Sequence, residues 1–378
     1  MASSASAAPK SAISLVVPIV GQEEIDAVLS VLKSGQLAQG PVVAAFESEF
    51  AAAVGVKHAV VVNSGTAAIH CGLEALGIGE GDEVLTTPFT FAATATPVLM
   101  QRGKIRFVDI DERTFNVDLN QYLQVATQQT KAVIGVDLFG LPFDRSGAEQ
   151  LKARGIHVLE DACQAIGASR DGKNAGAGCD AAAFSFYATK NLMMGEGGIL
   201  TTNDDAVDEA ARRFRQHGMS QQYQYLKLGY NYRSTDLLAA IGRAQLARLD
   251  SIASSRRANA EYYDESLANV AGIALPVVPS GTQHAYHQYT ILVDPSQSAN
   301  KANRDDVRKQ LAEQSIASGV YYPKPLHLHP LFGGAQRAGE FPVAERVSQQ
   351  CLSLPIHPGL SESDLERVVR AVKTAVGG

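Results

Sequence analysis

The chain has 378 residues, of which 46% are hydrophobic and 19% charged, with a formal net charge of −6. That length exceeds what one small core absorbs and implies two domains of an ordinary globular protein. The basic residues form no clustered face of the kind nucleic acid requires, and no apolar stretch reaches the roughly 20 residues that cross a bilayer.

Residues 1–13 are small and polar, lack the apolar core of a signal peptide and read as a disordered tail. A large domain is expected over 14–250 and a smaller C-terminal one over 251–378, with the boundary near Ser251. Residues 23–32 have helical periodicity, closed by Ser34 and Gly35, and residues 41–54 read as a second amphipathic helix. From Ala59 to about Thr202, short apolar runs alternate with helical stretches. The runs are 83–86, 105–108, 132–136, 156–159, 181–186 and 198–201. Such alternation predicts an α/β domain with a mostly parallel sheet of about seven strands between helices. Helices are expected over 204–217 and 237–249, the latter running on after a break into 254–270. The last third mixes strands (286–293 and 319–322) with helices (304–314 and 361–376), which reads as a smaller α+β domain. The closely spaced glycines Gly77, Gly79 and Gly81 follow a helix and precede a strand. They read as a turn, because a dinucleotide-binding fingerprint has the opposite order.

Three segments carry chemistry. The run 59–70 is strand, polar turn and helix. Its turn, Asn63-Ser64-Gly65-Thr66-Ala67, places hydroxyls and a small residue at a helix N-terminus, where unpaired N–H groups favour phosphate. The run 155–164 is a buried strand ending in Glu160 and Asp161, with Cys163 and Gln164 just beyond. Ligands of open α/β sheets sit outside such carboxyl ends. The run 184–191 places Ser185 in a strand and Lys190 just past it, followed by the glycine-rich 195–198. A lysine so placed can be desolvated and form a Schiff base with an aldehyde. Taken singly, the three read as an N-cap, a loop acid and a surface lysine. Together they supply a phosphate cradle, a carboxylate for a pyridine nitrogen and a lysine for an aldehyde, which are the needs of pyridoxal 5′-phosphate (PLP).

The wording of Asn63–Ala67, Thr87–Thr94, Val108–Asp111, Glu160–Gln164, Phe184–Lys190 and Gly229-Tyr-Asn-Tyr-Arg233 resembles the DegT/StrS family of PLP-dependent nucleotide-sugar aminotransferases, from about Val17 to the end of the chain. The resemblance implies a fold type I PLP-transferase acting as a homodimer with shared active sites. It implies transfer of an amino group from an amino acid, L-glutamate, to a keto group of a nucleotide-linked hexose for amino-sugar biosynthesis. Lys190 would be the Schiff-base lysine and proton carrier, and its presence argues against members that carry histidine there and act as dehydratases. Asp161 would pair with the pyridine nitrogen, Gln164 would lie near the phenolic oxygen or ring face, and Phe91 would stack on the ring, with Phe89 as the alternative. Gly65, Thr66, Ala67 and Ser185 would hold the phosphate, and Asn231 would reach the phosphate of the neighbouring subunit. Arg233 would contact an anion of donor or sugar nucleotide.

The Pro-rich segment 321–330 would line the sugar-nucleotide pocket through Tyr322 and His327. The overlapping segment 318–327 is similar to that of members acting on 3-keto sugars. Asp137 stands where the family carries histidine, which bears on acceptor choice. Other PLP chemistry on a sugar nucleotide, or a regulator that binds PLP or a sugar nucleotide without turnover, is the alternative reading. Cys71, Cys163, Cys179 and Cys351 show no metal-ligand spacing and read as reduced thiols of a cytoplasmic protein. No metal is expected, His327 and His329 lacking a third ligand.

Overall fold

The computed structural model describes residues 11–377. Among these, a seven-stranded sheet forms from β1 (His58–Val62), β2 (Glu83–Thr86), β3 (Lys104–Phe107), β4 (Thr130–Val136), β5 (His157–Asp161), β6 (Ala181–Ser185) and β7 (Gly198–Thr202). Its spatial order is β1-β7-β6-β5-β4-β2-β3. All neighbours run parallel except β7, which is antiparallel to both β1 and β6. Most of these strands are apolar at successive positions because the sheet is covered on both faces. Ala59 and Val61 pack with Phe46, Phe50, Phe184 and Phe186, while Val60 and Val62 pack with Ile69, Leu73, Leu159 and Leu200 on the other face. The four phenylalanines meet edge-to-face at centroid distances of 5.2–5.8 Å.

Local signals set the helices that flank this sheet. The helices α1 (Gln22–Ser34) and α2 (Pro41–Val54) both stop at left-handed glycines, Gly35 and Gly55, which no side chain hinders there. Ser64 caps α3 (Gly65–Ala75), Asp204 caps α4 (Asp205–Arg215) and Thr235 caps α5 (Asp236–Leu246), each through its side-chain oxygen. Asp236 does a second task. Its carboxylate accepts the N–H groups of Gly40 and Val43, at 2.8 and 2.9 Å, and so docks the start of α2.

A second core gathers Tyr263, Leu267, Tyr289, Ile291, Leu311, Leu354, Val368 and Val372. It is built from α6 (Leu249–Leu267), α7 (Arg304–Glu313), α9 (Glu362–Val376) and a three-stranded sheet, whereas α8 (Pro342–Gln350) packs Ala344 and Val347 into a core with Leu85 of β2 and Val133 of β4. In that sheet β9 (Tyr289–Val293) lies between β8 (Ile273–Ala274) and β10 (Cys351–Leu354), all antiparallel. One expectation is corrected here. Residues 319–322 form no strand, only a bridge from Gly319 to Ser353. The strand β10 was not foreseen, nor was α8. The expected helix break falls at Ala247 and Arg248, between α5 and α6, so Ser251 lies in the first turn of α6. The tail expected over 1–13 lies outside the described residues up to position 10, but Ile13 is buried in the second core and bridges to Ile316.

Candidate active site

The parallel strands end their carboxyl edges at one cavity of about 430 Å³. Three connections from those edges build it. The turn after β1 starts α3 and brings Ser64, Gly65 and Thr66 to the wall; the turn after β5 brings Cys163 and Gln164; the turn after β6 brings Tyr187, Thr189 and Lys190. The approach of these turns is close. A Cβ on Gly65 would stand 2.8 Å from Ser185 Cβ and 2.9 Å from Cys163 Sγ, and one on Gly198 would stand 2.3 Å from the Ser64 carbonyl oxygen. Glycine at both positions lets the α3 N-terminus lie against β6 and β7.

Lys190 opens onto this cavity. The Lys190 N–H donates to the Tyr187 carbonyl at 2.8 Å, which folds the segment back over the strand end. Removal from bulk water lowers the lysine pKa, and the charges of Cys163 and Asp161 only partly oppose that shift. Asp161 sits one layer behind the wall, 7% exposed. Its Oδ2 accepts from Thr94 Oγ1 at 2.6 Å, and its Oδ1 accepts from the Cys163 N–H at 3.2 Å. The Thr94 and Thr90 hydroxyls are 2.8 Å apart, so a short chain of hydroxyls fixes the carboxylate. Gln164 Oε1 accepts the Phe139 N–H at 2.7 Å, and its Nε2 donates to the Tyr322 hydroxyl at 3.3 Å. Phe91 is 60% exposed and shows its ring to the cavity, 6.2 Å from the Tyr322 ring centroid. Phe89 is fully buried in the core, which removes it as the stacking alternative.

Of the residues anticipated from sequence, the fold brings Gly65, Thr66, Phe91, Gln164, Ser185, Lys190 and Tyr322 to the cavity, with Asp161 directly behind. Four stand elsewhere in this chain. Ala67 does not line the cavity wall, and its N–H donates to Ser64 Oγ at 3.1 Å. Asn231 and Arg233 lie outside the cavity wall. The Asn231 carbonyl accepts from Asn63 Nδ2 at 3.4 Å, and Arg233 Nη1 donates to Gln216 Oε1 at 3.3 Å. His327 is fully buried, donates to Glu345 Oε1 at 3.0 Å and packs against Phe341, so it faces the protein interior and not the cavity. Sequence reading missed Thr94, His287 and Gln288, while Tyr321 belongs to the segment expected to line the pocket. Thr94 closed a quoted motif without a role, and His287 and Gln288 were absorbed into an apolar run read only as strand.

Several features fit PLP. The α3 N-terminus with Thr66 and Ser185 could hold a phosphate, Asp161 could meet a ring nitrogen and the exposed face of Phe91 could stack on a ring. A lysine whose pKa burial lowers gives up its proton more readily than a solvated one, which suits an aldehyde. Sheet order, strand-end position and an amine partly withdrawn from water thus define the class, a fold type I PLP-dependent enzyme.

The comparison with known proteins gives the family. The profile of the DegT/DnrJ/EryC1/StrS aminotransferase family matches residues 18–373. The chain belongs to that family and is a PLP-dependent aminotransferase. It is 37% identical to the dTDP-3-amino-3,4,6-trideoxy-α-D-glucose transaminase of Micromonospora megalomicea, over 94% of this chain and 95% of that protein. It is 38% identical to the UDP-N-acetyl-3-dehydro-α-D-glucosamine 3-aminotransferase of Acidithiobacillus ferrooxidans, over 88% of each. The crystal structure of Streptomyces venezuelae DesV in complex with a ketimine intermediate superposes with a TM-score of 0.90 at 37% identity, covering 94% of this chain and 95% of that one.

Proposed function

We propose that this sugar aminotransferase moves an amino group from L-glutamate to the keto group of a nucleotide-linked hexose, with a 3-keto sugar as acceptor. The observation that carries the reading is the half-buried Lys190, its amine partly withdrawn from water, with Asp161 behind it and the α3 N-terminus beside it in one cavity. The two enzymes compared above support position 3, since both of their names place the amino group there.

Bound PLP supplies an electron sink for the carbanion left when the donor loses its α-proton. The chain's own groups do the rest. Lys190 Nζ takes the α-proton as a base and returns it as an acid, which requires the neutral amine that burial favours. Asp161, held by Thr94 and the Cys163 N–H, pairs with a protonated ring nitrogen. Thr66, Ser185 and the first N–H groups of α3 would anchor a phosphate, Phe91 would cover a ring face, and Gln164 is held in the cavity wall by Phe139 and Tyr322. Asn231, outside the cavity of its own chain, serves the second active site of a homodimer, and Arg233 meets a phosphate of the sugar nucleotide. The enzyme works in the cytoplasm; among the described residues no helix is long and apolar enough to cross a membrane.

The test is the visible absorption of the purified protein with and without L-glutamate, with Lys190→Ala beside it. A yellow band that L-glutamate bleaches, and that the variant lacks, is expected. Restoration of the band by 3-keto but not 4-keto sugar nucleotides then assigns the acceptor. A protein that stays colourless with added PLP would sink the reading and favour a regulator without turnover.

A further inference from the structure

His287 and Gln288 are cavity residues to which the reading above gives no task. They stand just before β9, and each is 7% exposed. Their main chain is pinned. The Gln288 N–H donates to the Phe139 carbonyl at 3.2 Å, and Arg256 Nη1 donates to the carbonyls of Tyr286 and His287 at 2.8 and 3.4 Å. Their side chains are free. His287 Nδ1 is enclosed with no partner, and the Gln288 amide makes no hydrogen bond among the described residues but is not sealed from the cavity. Hydrogen-bonding groups on a cavity wall that no protein group engages are open to a ligand.

With Nδ1 enclosed, Nε2 is the ring nitrogen left to a ligand. Burial first, and then the charges of Lys190 and Arg256, hold the imidazole well below the usual histidine pKa. The ring is therefore neutral near pH 7 and offers an N–H, while Gln288 adds its amide N–H groups. Among the described residues lining the cavity there is a lysine but no arginine, and the carboxylate at its mouth, Glu196, is exposed.

We propose that His287 and Gln288 form the subsite for the α-carboxylate of the amino-acid donor, two neutral hydrogen-bond donors in place of an arginine fork. This rests on the aminotransferase reading. The donor's α-carbon must come within reach of Lys190, and its carboxylate is one bond away, so it falls within the cavity that Lys190 shares with His287 and Gln288. Neutral donors suit an enzyme whose second substrate enters the same cavity without a carboxylate. A buried arginine there would be left unpaired when the sugar binds, whereas an amide and an imidazole meet hydroxyls equally well.

The test uses the PLP-loaded enzyme and the variants His287→Phe, Gln288→Leu and Gln288→Glu, the last of nearly equal volume in case the others fold poorly. Calorimetry measures the Kd of glutarate, a dicarboxylate without an amine. Rapid mixing measures bleaching by L-glutamate and by 4-aminobutyrate, which lacks the α-carboxylate. Each neutral variant is expected to weaken glutarate and to raise the half-saturating L-glutamate concentration about tenfold, as for a lost hydrogen bond to a charged group. Gln288→Glu should cost more, and reaction with 4-aminobutyrate should be unaffected. Unchanged glutarate and L-glutamate binding, an equal loss with 4-aminobutyrate, or a loss confined to the keto-sugar half-reaction would each overturn the assignment. If the parent enzyme fails to bleach with L-glutamate, the donor reading fails, while the glutarate Kd still decides the subsite.

Discussion

Replacing Gly65 by alanine probes the cradle most directly. The added Cβ would lie 2.8 Å from Ser185 Cβ, against about 3.4 Å for ordinary contact, and 2.9 Å from Cys163 Sγ. Ser185 Cβ moves only with its strand, so the start of α3 must retreat by about 0.6 Å, the shortfall in that contact. Overpacking of this kind costs about 1–3 kcal/mol. The better helix propensity of alanine returns at most about 1 kcal/mol, and less in a first turn. Without cofactor the helix end can yield. With cofactor bound, its N–H groups are held to the phosphate, so the strain falls on binding. PLP affinity should drop about 5- to 150-fold, the equivalent of 1–3 kcal/mol. Titration of the apoenzyme with PLP, followed by visible absorption, measures this. Gly72→Ala is the control. It strains the same helix two turns on against the side-chain ends of Leu159 and Leu200, and should lower the melting temperature without weakening PLP. A Gly65→Ala enzyme that binds PLP within about twofold of the parent would refute a cradle at the α3 N-terminus.

Three further outcomes are expected. Because burial lowers the Lys190 pKa, its neutral form persists to lower pH than that of a solvated lysine. The rate of PLP capture by apoenzyme should therefore reach its plateau at a lower pH than for a lysine of ordinary pKa, about 10.4, whose rate still climbs nearly tenfold per unit through pH 8–10; a plateau reached no earlier than that would contradict a desolvated amine. Asp161→Asn should keep most of the bound PLP but slow bleaching by L-glutamate about a hundredfold or more, comparable to the loss of one preorganised electrostatic contact; an unchanged rate would remove Asp161 from the chemistry. Burial and then Glu160 raise the Asp137 carboxyl far above its usual pKa, so the folded state binds a proton that the unfolded state has released. Its stability contribution is thus present below the unfolded value and lost as pH rises toward the folded one. Asp137→Asn should gain stability over the parent increasingly from pH 4 upward in denaturant titrations, and a constant difference would argue against it.

Sequence alone determined what short-range physics writes within a few residues. Helix α2 runs over Pro41–Val54 as its periodicity and the Ser64 cap of α3 is where the polar turn indicated, because caps, turns and hydrophobic period are local. The same holds for β2 at Glu83–Thr86 and for the motifs around Gly65, Gln164 and Lys190, which sit where strands end and turns begin. Only the tertiary structure decided which side chains meet. Thr94 reaches Asp161 across 67 residues of chain, and Gln164 reaches Tyr322 across 158. His327 looked like a substrate contact in its Pro-rich segment, yet the fold turns it inward to Glu345. His287 and Gln288 looked like the start of a strand, yet packing leaves their polar ends unpartnered at the cavity. The direction of a side chain at the end of an element depends on what packs against it from distant parts of the chain, and no local pattern encodes that.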